Sequence, residues 1–272
     1  MSVPTRKVVL VTGASSGIGL ASALDLLKHG HIVYGGARRV DEMQKITQGG
    51  GHALSLDVTD DTSMSEAVAQ VLAEQGRIDV LVNNAGYGSY GAVEDIPMVE
   101  ARHQIEVNIF GLARMTQLVT PHMRRQNSGR IINISSMGGS IWTPLGAWYH
   151  GTKWFVEGFT HALRLELNRF GIKAVIVAPG GINTGFNSII SDKALRTSGD
   201  GPYADMAKNL ANAAKPDAGS DPQIIADAIR TAITAGKPKT IYRAGQYSRL
   251  LVYLAKLLPH RLFDRIVLSA VR

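Results

Sequence analysis

The chain has 272 residues, no cysteine, and 29 Lys and Arg against 22 Asp and Glu, a formal net charge of +7. The missing cysteines exclude a disulfide framework and a thiolate metal site, and the histidines form no HExxH-type cluster. A basic balance points to an anionic partner such as a phosphorylated cofactor, a membrane surface or nucleic acid. No recognition-helix or RNA-binding signature is present, so nucleic acid is set aside.

In chain order, the first apolar run is too short for a signal-peptide core, and no stretch reaches the ~18 apolar residues of a membrane span, so a cytoplasmic protein is expected. Short β-branched runs at Lys7–Thr12, Ile32–Gly36, Ala53–Leu56, Val80–Val82, Arg130–Ile134 and Lys173–Val177 read as strands buried on both faces. Helical patterns separate them. Gly19–Lys28 carries Leu20, Leu24 and Leu27, and Thr62–Glu74 carries Met64, Val68, Val71 and Leu72. Longer helices are expected over Ile105–Met123 and Trp148–Asn168, then a helix at Pro222–Ala235 and a seventh strand near Thr240–Tyr242. Strands alternating with helices predict an α/β, doubly wound Rossmann fold: a parallel seven-stranded sheet with helices on both faces. We expect one domain over 1–272. Residues from Asn187 to Asp221 lack regular apolar periodicity and read as disorder or as a lid, taken here as a substrate-lid insertion over about 186–221.

The first strand runs into Thr12-Gly13-Ala14-Ser15-Ser16-Gly17-Ile18-Gly19 and then a helix. Glycines let the chain turn sharply and leave backbone N–H groups open to a pyrophosphate, where the helix N-terminus adds its positive dipole end. A nucleotide-binding turn is therefore expected, with Gly13, Ser15, Ser16, Gly17, Ile18 and Gly19 around the phosphates. An NAD site usually carries an acid about 20 residues beyond this turn, on the ribose 2′-hydroxyl. Here the second strand ends Gly35-Gly36-Ala37-Arg38-Arg39. With the acid absent and two guanidinium groups able to pair a 2′-phosphate, Arg38 and Arg39 favour NADP(H) over NAD(H).

Further along come Asp57-Val58, Asn83-Asn84-Ala85-Gly86, Asn108, Ser136, Tyr149 with Lys153, and Pro179-Gly180 followed by Ile182 and Thr184. This ordered set, with the glycine turn, resembles the short-chain dehydrogenase/reductase family over about residues 5 to 185. The resemblance implies catalytic roles for Asn108, Ser136, Tyr149 and Lys153. It implies cofactor contacts from Asp57, Val58, Asn84, Ala85, Gly86, Tyr149, Lys153, Pro179, Gly180, Ile182 and Thr184. The family pattern places the serine thirteen residues before the tyrosine, which selects Ser136 over Ser135. It gives Asn108 a water that links Lys153 to solvent. It also implies a homodimer or homotetramer built through the two long helices.

The chemistry stands beside the resemblance. Tyr149 and Lys153, four apart, share a helix face. A phenol near pKa 10 is a poor acid–base group at neutral pH, and a neighbouring ammonium is expected to lower it. The same ammonium can hydrogen-bond the nicotinamide ribose, and the Ser136 hydroxyl can meet the substrate oxygen as charge develops. The expected reaction interconverts a carbonyl and an alcohol by hydride transfer, with Tyr149 as general acid or base. Alternatives are a dinucleotide-binding regulator without turnover, a lyase or epimerase on the same cofactor, and a peripheral membrane protein acting through its tail.

The tail over about 247–272 mixes Leu250, Leu254, Leu257, Phe263 and Ile266 with Arg249, Lys256, Arg261, Arg265 and Arg272 around Pro259. Such a basic amphipathic pattern packs as core, lid or subunit contact, or lies weakly on a membrane surface; packing is the favoured reading. The tail, the glycine turn, Tyr149-His150-Gly151-Thr152-Lys153 and Ala37–Met43 resemble members acting on hydroxysteroids, retinoids and similar lipophilic alcohols or ketones. A small lipophilic alcohol or carbonyl substrate, steroid-, retinoid- or aryl-ketone-like, is therefore expected.

Overall fold

Seven short runs, rich in Val, Ile and Leu and able to bury both faces, form one sheet. They are β1 (Val8–Thr12), β2 (Ile32–Ala37), β3 (His52–Ser55), β4 (Val80–Asn83), β5 (Gly129–Ile134), β6 (Ile172–Pro179) and β7 (Ile241–Ala244). The computed structural model describes residues 6–215 and 218–269. Residues 216–217 of the expected lid and 270–272 of the expected tail, Arg272 included, lie outside the described residues. The strand order is β3-β2-β1-β4-β5-β6-β7 with every pair parallel. The chain reverses direction across the sheet between β1 and β4, and a crevice at such a reversal is where α/β sheets hold ligands.

Alternate residues of each strand feed two apolar layers. Val8 and Leu10 of β1 pack with α3 (Asp61–Gln75), α5 (Leu112–Arg125) and α6 (Ala147–Leu167). Val9 and Val11 pack on the opposite face with α1 (Gly17–Lys28), α2 (Gln44–Gln48) and α9 (Gln223–Thr234). The period-two alternation of a strand produces this division. Helix α3 starts where Asp60 accepts from the amides of Thr62 and Ser63, and it stops at Gly76, whose φ of +69° suits the left-handed cap.

Two expectations need correction. The helix expected over Ile105–Met123 begins earlier, as α4 (Met98–Ile105), widens into a π-helical turn over Glu106–Gly111, and continues as α5 to Arg125. An extra residue in a turn re-aims the side chains within it and is common at functional sites, and this one holds Asn108. The stretch without evident periodicity folds as two helices, α7 (Phe186–Ser198) and α8 (Ala204–Ala213). Their buried positions include Ala194, Ser198 and Ala207. Small residues fill the inner face, so the hydropathy signal is faint.

The tail forms α10 (Leu250–Leu257) and α11 (His260–Ser269) on either side of Pro259. Their inner faces pack through Val252, Ala255 and Phe263 onto Met137, Ile141 and Trp142, just beyond β5.

Candidate active site

The carboxyl ends of β1, β4, β5 and β6 bring the expected residues to one crevice. At the end of β1, Gly13 takes φ +66°, and a Cβ there would lie 2.8 Å from the Ala85 Cα. Gly19 is equally confined, because its Cβ would strike the Gly13 carbonyl oxygen. The Asn84 side-chain amide donates to the carbonyls of Thr12 and Gly13 at 3.0 and 3.1 Å. The Thr12 hydroxyl accepts from the amides of Asn84 and Ala85, both at 3.0 Å. The glycine turn is thus bolted to the end of β4. Thr12 was not singled out from the sequence, and its position as the last residue of a strand before the turn was the available signal.

Helix α1 begins directly after Ser16, whose side chain makes no capping bond. Its first N–H groups therefore receive no side-chain acceptor from Ser16, which leaves them open to an anion. Thr184, after β6, sits across from Gly17: a Cβ on that glycine would lie 3.5 Å from the threonine methyl. Ser15 lies in the same turn, and Ile18 packs at the edge of the core behind it. Gly180 abuts the Gln246 carbonyl so closely that no side chain fits. Ile182 is buried and pairs through its backbone with Ser220.

The cradle fits a dinucleotide: glycine positions that a Cβ would fill, open helix amides and a hydroxyl-bearing residue opposite. At the outer end, Asp57 accepts from the amide and hydroxyl of Thr59 at 2.9 and 2.8 Å. Burial pushes its carboxyl pKa up, but those bonds and the charge of Arg38 outweigh it, so it is held below its usual value. The two arginines part company. Arg38 places its charge near Asp57 and Tyr87, whereas Arg39 pairs with Glu42 at 3.0 Å.

Four side chains gather at the inner end. The Ser136 hydroxyl hydrogen-bonds the Tyr149 phenol and accepts from the Gly138 amide at 3.1 Å. Ser135 instead turns to the Lys153 carbonyl and to Glu157, at 3.4 and 3.3 Å, so only the second serine faces the phenol. Lys153 donates to the Ile134 carbonyl at 2.9 Å, with its Nζ 5.8 Å from the Tyr149 ring centre. Asn108 donates to the Tyr87 carbonyl at 2.9 Å and to the Thr152 hydroxyl at 3.1 Å, and accepts from the Tyr87 amide at 3.0 Å. Gly86 lies between Asn108 and Lys153: its Cβ would stand 3.1 Å from the former's Oδ1 and 3.8 Å from the latter's Nζ.

The expected lowering of the phenol pKa is not found with protein groups alone around it. Burial raises Tyr149 to about 12, opposed by the Ser136 hydrogen bond. Burial lowers Lys153 to about 8. The low-polarity surroundings disfavour both charged forms.

His150 was not singled out from the sequence. Its Nδ1 donates to the Gly138 carbonyl at 3.0 Å and its Nε2 accepts from the Thr143 amide at 3.2 Å. Burial lowers its pKa, which keeps Nε2 an acceptor. One turn of α6 therefore braces both ends of the loop that carries Ser136. Trp142 in that loop packs on Phe263 of α11.

A cavity of about 460 Å³ is lined by Ala92, Val93, Pro144, Leu145, Tyr203 and Met206 among others, with Glu94 as its acid, and its walls Ala92 and Leu145 belong to the apolar cluster of Tyr149. Tyr149 shares an apolar cluster with Tyr90, Ala92 and Leu145, and Phe186 of α7 packs against it. No group of His, Cys, Asp and Glu able to hold a metal occurs among the described residues.

The family model of the short chain dehydrogenases matches residues 7–194. The chain belongs to the short-chain dehydrogenase/reductase family. As an oxidoreductase of that family it has similar relatives in several bacteria. It is 45% identical over 180 residues to a 3-ketodihydrosphingosine reductase of Bacteroides thetaiotaomicron, a match covering 66% of this chain and 65% of that protein. A short-chain dehydrogenase from Streptomyces avermitilis superposes with a TM-score of 0.82 at 33% identity, covering 97% and 96% of the two chains. A serine dehydrogenase complexed with NADP+ gives 0.77 at 27% identity, covering 89% and 96%. A 3-ketoacyl-(acyl-carrier-protein) reductase from Brucella melitensis complexed with NADH gives 0.74 at 25%, covering 89% and 98%. Nicotinamide dinucleotides of both kinds thus occur in this fold.

Proposed function

We propose that the protein is an NADP(H)-dependent oxidoreductase that interconverts a carbonyl and an alcohol on a lipophilic substrate. The observation that carries this reading is the meeting of Ser136, Tyr149 and Lys153 beside the glycine cradle, with an apolar cavity behind Ala92 and Leu145 of the Tyr149 cluster.

Gly13, Ser15, Ser16, Gly17, Ile18 and Gly19 hold the pyrophosphate on the α1 amides, with Thr184 opposite. With the cofactor bound, Asp57 and Val58 would flank its adenine end, Asn84, Ala85 and Gly86 would line the floor, and Pro179, Gly180 and Ile182 would meet the carboxamide. Arg38, whose charge faces Asp57, pairs with a 2′-phosphate; the Glu42 contact leaves Arg39 a lesser part. When bound, the nicotinamide supplies or accepts the hydride. Ser136 and Tyr149 hydrogen-bond the substrate oxygen, and Tyr149 gives its proton to that oxygen during reduction. A phenol held protonated to about 12 is ready as the donor. Lys153 orients the nicotinamide ribose and favours the phenolate after transfer, and Asn108 holds the π-helical turn through which a water links Lys153 to solvent.

Helices α7 and α8 act as the lid. Lys193 of α7 pairs with Glu100 at 2.7 Å and Ser198 donates to Asp95 at 2.6 Å, which ties the lid to the segment after β4. The cavity under it suits a steroid, retinoid or aryl ketone, and the name of the Bacteroides relative adds long-chain 3-keto compounds. Exposed Phe110, Trp154, Phe155 and Leu165 on the long helices support a homodimer or homotetramer through that face.

The test is NADPH and NADH binding by wild type and Arg38→Asp, followed by NADPH oxidation with lipophilic ketones, 3-ketodihydrosphingosine included. Tight NADPH binding that collapses in the variant, with turnover on some ketone, is expected. Equal affinity for both cofactors would overturn the NADP assignment, and binding without turnover on any ketone would overturn the reductase.

A further inference from the structure

The two C-terminal helices bury one face and leave another uncovered. On α10, Leu250, Tyr253 and Leu257 recur at helical spacing and are 57%, 64% and 78% exposed. Leu262 and Ile266, four apart on α11, are also exposed, as is Tyr247 just before α10. A row of large apolar side chains held in water is the costly arrangement that folding otherwise avoids.

Charge identifies what covers it. Beyond Ile241 the sequence carries six Arg and Lys against one acid, Asp264; Arg243 turns inward to Glu157 at 3.9 Å, which leaves Arg249, Lys256, Arg261 and Arg265 at the described helices. Asp264 faces inward, where it accepts the Trp142 indole N–H at 2.8 Å. Arg249 and Lys256, seven apart, and Arg261 and Arg265, four apart, are exposed and form basic strips alongside the apolar rows. A second copy of this surface would bring like charges together across a two-fold axis, since such an interface opposes a patch to itself. An anionic lipid surface satisfies both features: it takes the apolar side chains into its headgroup–acyl boundary and the cations against its phosphates.

We infer that the outward face of α10 and α11 docks on an anionic bilayer surface, so that the protein is a peripheral membrane protein. No helix is long and apolar enough to cross a membrane among the described residues, so the contact is interfacial. It is independent of the reaction proposed above, because the residues concerned are exposed and take no part in the cluster packed on Met137 and Trp142.

The experiment is co-sedimentation of the full-length protein with phosphatidylcholine vesicles, with and without phosphatidylglycerol, at low and high salt. Binding to the anionic vesicles and release by salt are expected. Leu250→Ser/Tyr253→Ser/Leu257→Ser should weaken binding at least roughly ten-fold, and Arg261→Gln/Arg265→Gln roughly ten-fold on anionic vesicles only. Melting temperature and cofactor binding should stay at wild-type values. The single Leu257→Asp change, at the most exposed of these side chains, serves if the triple variant melts early. Absence of wild-type binding to anionic vesicles, or equal binding by wild type and variants, would overturn the inference. So would light scattering showing that the serine variants dissociate an oligomer without altering vesicle binding.

Discussion

Trp142, six residues beyond Ser136, donates its indole N–H to Asp264 of the last helix at 2.8 Å, across 122 residues of sequence. Its ring meets Phe263 edge-on, at 5.0 Å between centres, and Phe263 is fully buried. The α11 helix thereby holds the loop behind Ser136 from one side while His150 holds it from the other.

Asp264→Ala leaves a half-buried indole N–H without its acceptor. A loss of about 1–3 kcal/mol is expected, read as a melting point lowered by several degrees. Because the loop carries Ser136, kcat should fall several-fold while NADPH affinity is unchanged. Asp264→Asn retains an acceptor oxygen and should recover most of both. Equal kcat in wild type and Asp264→Ala would show that the tail does not position the loop.

Gly13 tests the cradle. Alanine at φ +66° is strained by about 1–3 kcal/mol, and its methyl would stand 2.8 Å from the Ala85 Cα. Gly13→Ala should lower both the melting temperature and the affinity for NADPH. A Cβ added at Gly151 in α6 would meet nothing within 4 Å, so Gly151→Ala should stabilise by about 0.5–1 kcal/mol. Thermal melts of the two variants separate the effects. Similar shifts in both would contradict the account of the turn.

The pH profile should follow the lysine. Burial lowers Lys153 from 10.5 to about 8, so its positive charge is lost as pH rises through that value. Tyr149 remains a phenol up to about 12. In the direction of carbonyl reduction, kcat/KM should hold at neutral pH and decline above about 8, below the phenol's own range. Lys153→Arg stays charged and should move the decline upward, with lower kcat. A wild-type profile level to the phenol's range would contradict this assignment.

Much of this arrangement was legible in the amino-acid order. The strands were legible because doubly buried β-branched runs are dense, and the glycine turn because Gly13 and Gly19 have no room for a Cβ. The thirteen-residue spacing implied by the family resemblance points to Ser136, and the structure turns Ser135 away toward Glu157. What stayed hidden depends on contacts remote in sequence or on small residues. Helices α7 and α8 bury Ala194, Ser198 and Ala207, whose hydropathy barely marks a face. The π-helical turn at Asn108 has no compositional sign. His150 carries no signal of its own beside Tyr149, and the Trp142–Asp264 bond joins residues no local pattern connects. The pKa direction at Tyr149 was misjudged because burial, a property of the assembled fold, raises it against the Ser136 hydrogen bond.

The central claim is that Tyr149 supplies the proton. Tyr149→Phe keeps the ring that packs against Tyr90 and Phe186 and removes only the hydroxyl. The decisive measurement is NADPH binding by calorimetry and single-turnover NADPH oxidation on this variant, with a ketone that wild type reduces. Binding within about two-fold of wild type and a rate at least ~10²-fold lower are predicted. A variant that binds NADPH and reduces the ketone at the wild-type rate would contradict the mechanism.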